Sequence, residues 1–438
     1  MTMKRVLLIL FAFVLLSACE EKHFIANPDY RKIVEQDFQK KEKVLEGNPG
    51  NLFGVFDSPM SVEEREALMF LYAYSPLIDI SFSGGDFLLK NVRWAFQARE
   101  TMPWGKDIPE DIFRHFVLPV RGGKENLDTA RVVFYKELKE RVSACESMEK
   151  AALEVNHWCH EHVIYRPTNA RTRSPLATML TAYGRCGEES IFTLAALRAV
   201  GIPARQIYVP RWAHCDDNHA WIEVWVDGEW KYLGACEPEP RLNIAWFTLP
   251  VQRAMYVESE VFGKYCGQEE IVYVNESGSG VNVTSHYTRT MSTVVQVIDE
   301  KGQAVESAKV EYKIFNYGEF YPVVTLYSDV NGETSLTLGK GDIFVWAEKG
   351  EKFGFGELSV EHQDSLVIVL DKNVGDLFSG EWDLVPPSQH DITALSTDEE
   401  RAVNDHRFAR EDSLRNAYVA TFISREQANG IAIELGVD

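Results

Sequence analysis

The sequence predicts an α+β chain: a helical first part, a mixed centre, and an all-β part before a charged tail. Three observations predict it. Apolar residues recur at helical spacing, with cap signals, up to about residue 145. A strongly apolar helix is then followed by segments of period two. From about residue 288, short strands and turns repeat at close spacing. The 438 residues suffice for two or three domains with substantial cores.

The first residues read as a targeting segment. Lys4 and Arg5 precede a wholly apolar run over 7–16, too short to span a bilayer comfortably. It ends in Leu16-Ser17-Ala18-Cys19, which resembles the lipobox of bacterial lipoproteins. The resemblance implies a signal peptide over 1–18, cleavage before Cys19 and acylation of its thiol. The expected location is a bacterial membrane, anchored by lipid, in the periplasm or on the cell surface. An ordinary secretory signal that happens to carry a cysteine is the alternative. The formal charge is −21, and the leader carries bases only. Such an acidic chain argues against nucleic acid and against a polybasic membrane patch.

Residues 19–145 read as mainly helical. Ser61-Val62-Glu63-Glu64 is a capping-box pattern before Leu68, Met69, Phe70 and Leu71. Pro109-Glu110-Asp111 opens another helix with proline and acids in its first turn, and 130–142 continues in the same style. Nothing here has a catalytic spacing, so a supporting helical layer is expected. Residues 146–285 turn mixed: a helix over 151–162, a loop around 167–175, then the cysteine helix and several strands. Residues 286–372 alternate strands and turns, as in Val294-Val295-Gln296-Val297-Ile298 followed by Asp299-Glu300-Lys301-Gly302. This part resembles the small transthyretin-like or carboxypeptidase-regulatory-like β-sandwiches of exported bacterial proteins, which implies a spacer or dimer surface. Residues 373–438 are a proline-marked linker and a charged tail, helical over 397–416.

The chain has seven cysteines. Cys19 is assigned to lipid and Cys186 to chemistry. Cys145, Cys159, Cys215, Cys236 and Cys266 remain, in a compartment that permits disulfides. No CxxC pair occurs, so no common structural zinc site is expected.

Cys186 stands between Gly184 and Gly187 at the start of an apolar helix that Gly201 and Pro203 stop. A thiol there faces the positive end of the helix dipole, which lowers its pKa and supplies N–H groups for an oxyanion. A small buried core cysteine is the bland alternative. His219, Trp221, Glu223 and Trp225 share one face of a period-two strand, while Ala220, Ile222, Val224 and Val226 form the evident core face. Asp227-Gly228 then turns the chain into a second strand. His219 is thus expected off the core face, where an imidazole meets a thiol. His214 is its rival. A metal site from His214, Cys215, Asp216 and His219 lacks a familiar ligand spacing, so no metal and no cofactor are expected.

Three motifs bring a family into view. Gly184-Arg185-Cys186-Gly187-Glu188, then Leu197-Arg198-Ala199-Val200-Gly201-Ile202-Pro203-Ala204-Arg205, then His219-Ala220-Trp221-Ile222-Glu223-Val224 resemble the transglutaminase-like superfamily. The resemblance implies a papain-like core with a Cys-His-Asp triad: cysteine on a helix, histidine on a strand, acid at the end of the next. The motifs are most similar to those of the peptide N-glycanases, whose paired zinc-binding CxxC motifs are missing here. The third member departs from the pattern. Gly234 stands where the aspartate aligns, and the nearest acid is Glu237, its turn fixed by Pro238. Glu237 is either the group that orients His219 or a solvated loop carboxylate. Glu188 and Glu189 read as helix caps. The indole of Trp158 is either a second oxyanion donor or core packing.

The resemblance implies cysteine-dependent acyl transfer, most directly hydrolysis of amide bonds in peptides or glycopeptides through Cys186, His219 and Glu237. The implied partners are such a substrate and a membrane reached through the N-terminal lipid. Two alternatives stand: a surface lipoprotein that binds peptides or glycans without turning them over, favoured by Gly234, and a protein cross-linking transglutaminase.

Overall fold

A computed structural model describes residues 22–47, 50–168, 171–390 and 395–435. The chain is mixed α and β, with a core of helices packed on a sheet and a strand-rich C-terminal part. Cys19 and the apolar leader lie outside the described residues. No helix among the described residues is long and apolar enough to cross a membrane.

Among the described residues, seven α-helices come first: α1 Pro28–Leu45, α2 Val62–Tyr74, α3 Leu77–Ser83, α4 Gly85–Thr101, α5 Glu110–Phe116, α6 Ala130–Ser143 and α7 Met148–His162. The Ser61–Glu64 box forms in both directions, Glu64 N–H donating to the serine and Ser61 N–H to the glutamate. The two-residue strand β1 (Ile164–Tyr165) precedes α8 (Pro175–Thr181) and pairs with β2 (Tyr183–Gly184). Helix α9 (Cys186–Ala199) follows directly. Its Phe192 stacks on Trp158 of α7 at 5.5 Å and meets Phe134 of α6 edge-on at 5.2 Å. The opening helices, α9 and the inner face of the sheet share one continuous apolar core.

The central sheet has the order β5-β4-β3-β6-β8-β7, from β3 (Ala204–Val209), β4 (His219–Val226), β5 (Glu229–Leu233), β6 (Glu258–Phe262), β7 (Glu270–Val274) and β8 (Gly278–Asn282). Ile222, Val224 and Val226 of β4 face α9 and the helices, as the alternation predicts. The opposite face is not exposed. A second core of Phe247, Val251, Tyr287 and Phe116 covers Trp221 there. Beneath it lies a buried charge cluster: Arg205 pairs with Glu223 and Glu269 at 2.7 Å, and Glu223 also receives Tyr287 Oη at 2.6 Å. Such a cluster makes a sheet face buriable only because its charges are paired with one another.

The strand-rich part packs two sheets face to face. Strands β10 (Lys309–Asn316), β11 (Glu319–Tyr327), β13 (Asp342–Lys349), β14 (Lys352–Ser359) and β16 (Lys372–Asn373) make one, in the order β11-β10-β13-β14-β16. Strands β9 (Thr290–Ile298), β12 (Glu333–Gly339) and β15 (Ser365–Val369) make the other. Val295, Val297, Leu336 and Ile368 meet Val310, Tyr312, Val345 and Leu358 in a core that also takes in Met255 and Tyr256 from the preceding part. The tail helix α10 (Asp398–Val419) opens with a Thr397–Glu400 capping box and folds back onto α7. There Glu411 accepts from His157 and His160, each at 2.8 Å. Helix α11 (Arg425–Leu435) ends the described chain.

Candidate active site

Cys186 is the first residue of α9, where its own N–H and that of Gly187 have no acceptor within the helix. The turn before it is built by Glu188. Arg185 N–H donates to Glu188 Oε2 at 3.0 Å, and a side chain at 184 would come within 2.6 Å of Glu188 Cβ, so glycine is required there. The thiol faces the backbone N–H groups of Ala220 and Gly187. Burial pushes the thiol pKa up from its ordinary value; Ala220 N–H, Arg185 and Gly187 N–H pull it down and Glu189 pushes it up, and the net direction is up. The lowering expected from the helix dipole alone is therefore outweighed, because the sulfur lies in a largely desolvated corner.

His219 opens β4, paired with Val209 of β3, and immediately precedes the residue whose N–H faces the thiol. As the alternation predicts, it shares the Trp221 side of the strand, opposite Ile222 and Val224, but that side is packed as well. The imidazole is buried, stacked on Trp221 at 5.7 Å and enclosed by Trp246 at 4.8 Å and Phe247 at 5.1 Å. Burial lowers its pKa to about 4, so the ring is neutral at physiological pH. Its Nε2 is buried with no hydrogen-bond partner among the described residues.

Glu237 sits in a tight turn after β5. Glu237 N–H donates to the Gly234 carbonyl at 3.3 Å, and Cys236 between them takes a left-handed φ of 57°. Asn156 of α7, fully buried, clamps the turn by donating to the Gly234 carbonyl at 2.7 Å and accepting Cys236 N–H at 2.9 Å. A Cβ placed on Gly234 would be 3.0 Å from Glu237 Oε2. The glutamate carboxyl thus occupies the space that a side chain at 234 would fill. It accepts the indole N–H of Trp246 at 2.9 Å, and the same Trp246 rests on His219. No hydrogen bond joins Glu237 to His219 among the described residues. Burial raises the Glu237 pKa to about 7, with Trp246 lowering it and Glu239 raising it further.

Other sequence-predicted residues fall elsewhere. Glu188 caps α9 as expected, but Glu189 does not. Its carboxyl is buried, Oε1 has no partner among the described residues, and burial together with Cys236, Glu237 and Glu188 holds it well above the usual carboxylate range. Trp158 is not brought to the thiol. It packs between Phe134 and Phe192, and its indole N–H serves Glu137. His214 lies against Trp212 at 5.4 Å, and no group of three or more metal-ligating side chains is assembled among the described residues. Asn156 and Trp246 were missed by the sequence reading. Their roles depend on contacts across the fold, and no local pattern announces them.

Residues 136–235 match the family model of the transglutaminase-like superfamily. This segment is a transglutaminase-like core. It contains Cys186, His219 and Gly234 and ends just before Cys236 and Glu237. Its architecture is that of a cysteine-dependent enzyme. Among solved structures, the chain is similar to a candidate cysteine protease from Cytophaga hutchinsonii, with 16% identity and a TM-score of 0.25 over 43% of this chain and 68% of that one. It is also similar to a candidate protease from Parabacteroides distasonis, with 12% identity and a TM-score of 0.24 over 50% of this chain and 36% of that one. Red sea bream transglutaminase follows at 10% identity and a TM-score of 0.23, over 68% and 58%. The chain thus spans about a third of the Parabacteroides structure and somewhat over half of the sea bream enzyme. No curated protein matches the chain.

Proposed function

We propose that the protein is an extracytoplasmic cysteine amidase that hydrolyses amide bonds in peptides or glycopeptides, held to a membrane by a lipid on Cys19. The observation that carries this reading is the thiol of Cys186 at the start of α9, facing the N–H of the residue next to His219.

The resting pair is neutral, since burial raises the thiol and lowers the imidazole. His219 therefore acts as a general base during attack instead of standing ready as an imidazolium beside a thiolate. The Cys186 sulfur forms a bond to the amide carbon while its proton passes to His219. The N–H groups of the first turn of α9 hold the oxyanion. His219 returns the proton to the leaving amine, and water releases the acyl group from Cys186 by the same route reversed. Glu237 supports His219 once a modest shift brings its carboxyl from Trp246 to Nε2, the imidazole nitrogen that has no partner.

The test is turnover of a peptide and glycopeptide panel, with the acyl-enzyme trapped on Cys186 by mass spectrometry. Cys186→Ala and His219→Ala are expected to abolish both. Turnover that survives Cys186→Ala refutes the reading. A binding module without turnover is the second reading, favoured by the unpartnered Nε2 and the raised thiol. Full binding with no trapped acyl-enzyme in the native protein selects it. For the anchor, Cys19→Ser is expected to move the protein out of the membrane fraction; an unlipidated mature N-terminus at another residue refutes that part.

A further inference from the structure

The strand-rich part reaches the active site. Its β10–β11 hairpin grips the loop over 210–217 that leads into His219: Asn316 Nδ2 donates to the carbonyls of Trp212 at 2.9 Å and Cys215 at 2.8 Å, and Tyr317 N–H donates to Asp216 at 2.7 Å. On that loop the Arg211 guanidinium lies 4.0 Å from the centre of the Tyr321 ring and 5.6 Å from that of Tyr317. Both tyrosines belong to the hairpin region of the sandwich.

Arg211 is incompletely satisfied. Its Nη1 donates to the Pro210 carbonyl at 2.9 Å, whereas Nε is buried with no acceptor, and no carboxylate pairs with it among the described residues. This occurs in a chain with 66 acidic and 45 basic residues, where a carboxylate is the easiest partner to find. The acids around it are engaged elsewhere. Asp216 accepts from Tyr317, Asp217 from Asn218 N–H, and Glu258, which faces Tyr208 from β6, from Tyr256 Oη. A buried donor left unpaired carries a desolvation cost, so the guanidinium is not saturated by the fold.

The position relative to the thiol follows from the sheet. Tyr208 lies opposite Ala220, the residue whose N–H faces Cys186, and Arg211 follows just beyond the end of β3. Burial raises the Tyr208 phenol to about 12; Tyr321, Glu258 and Cys186 push it the same way and Arg211 pulls it back. Tyr208 therefore stands between Ala220 and the strand end that leads to Arg211.

We propose that Arg211, backed by Tyr321 and Tyr317 of the sandwich, is a carboxylate subsite, so that the acyl substrate is an acidic peptide whose free carboxylate is clamped by Arg211 beyond Tyr208. The proposal rests on Cys186 as the nucleophile. A planar guanidinium held on an aromatic face suits bidentate capture of a carboxylate. The sandwich then supplies a substrate wall as well as a support.

The test uses the full-length protein and matched alanine peptides of increasing length, each made as the free acid and as the C-terminal amide. Binding is measured calorimetrically on Cys186→Ala. The acid is expected to bind at least about tenfold tighter than the amide at one preferred length, about 1.4 kcal/mol. Arg211→Gln is expected to erase the difference and Arg211→Lys to retain part of it, with circular dichroism confirming that both variants fold. Equal binding of acid and amide, no binding of the acid, or a preference that survives Arg211→Gln overturns the subsite. Chloroacetyl versions of the same peptides, applied to the native thiol, test the underlying reading separately. Arg211-dependent acid binding with no labelling of Cys186 leaves the subsite standing and removes the nucleophile. Labelling of Cys186 by acid and amide alike, with equal binding, does the reverse.

Discussion

At the scale of single residues, protonation states govern what the site does. Glu237 must be ionised to orient an imidazole, and burial places its pKa at about 7, whereas His219 is already neutral above about 4. The acid limb of kcat/KM is therefore expected near pH 7 and set by Glu237. Glu237→Gln is expected to lower turnover by orders of magnitude and to flatten that limb; an unchanged limb assigns it to another group. The same residue affects stability with a definite sign. A carboxyl raised in the folded state keeps its proton where the unfolded chain has lost it, so stability falls as pH rises from about 4.5 through about 7. Glu237→Gln is thus expected to raise the urea midpoint at pH 8 relative to the native chain and to leave it unchanged at pH 4. The raised Cys186 thiol gives a further expectation. Its alkylation by iodoacetamide rises with pH beyond the range of an ordinary cysteine, and slow labelling at mildly acidic pH is the outcome that follows from burial.

At the scale of elements, the tail helix α10 acts as a strap over the turn that carries the acid. Asn404 donates to the Pro238 carbonyl at 2.9 Å, Arg241 pairs with Glu400 at 3.2 Å, and Glu411 is held between His157 and His160. Burial pushes the Glu411 pKa up, but the bonds from both histidines outweigh it and bring it to about 2. The contribution of this carboxylate is therefore full above about pH 4.5 and lost as pH falls through about 2. Glu411→Ala is expected to cost about 1–3 kcal/mol. Limited proteolysis should then release the tail before the core is cut; an unchanged digestion pattern rules out the strap. The capping box at Ser61 was legible because it is local. Asn156 and Glu411 were not, because each joins elements far apart in the chain.

At the scale of the whole molecule, the strand-rich part and the core are packed as one. Met255 and Tyr256, which precede the sandwich, lie in its core, and Asn282 Nδ2 donates to the Thr337 carbonyl at 2.7 Å. Asn316 supports the loop that carries His219 into position. Asn316→Ala leaves two carbonyls without that donor and is expected to destabilise by about 1–3 kcal/mol. It should lower turnover in parallel, read from thermal melts and kcat together. Full turnover in a destabilised variant would separate the sandwich from the site.

The sequence by itself determined the parts that local chemistry specifies. A cysteine between glycines at a helix start, a histidine on the next motif's strand, and an acid just past the hairpin were all readable, as was the change from helix to strand periodicity. Tertiary structure decided how those parts behave. His219 is buried because the segment after β5 covers the face of β4 that alternation alone leaves open. Glu237 fills the space beside Gly234 because Asn156, a helix away, closes the turn. The direction of each pKa follows, since desolvation is set by which distant residues pack over a group, and no spacing in the sequence records that.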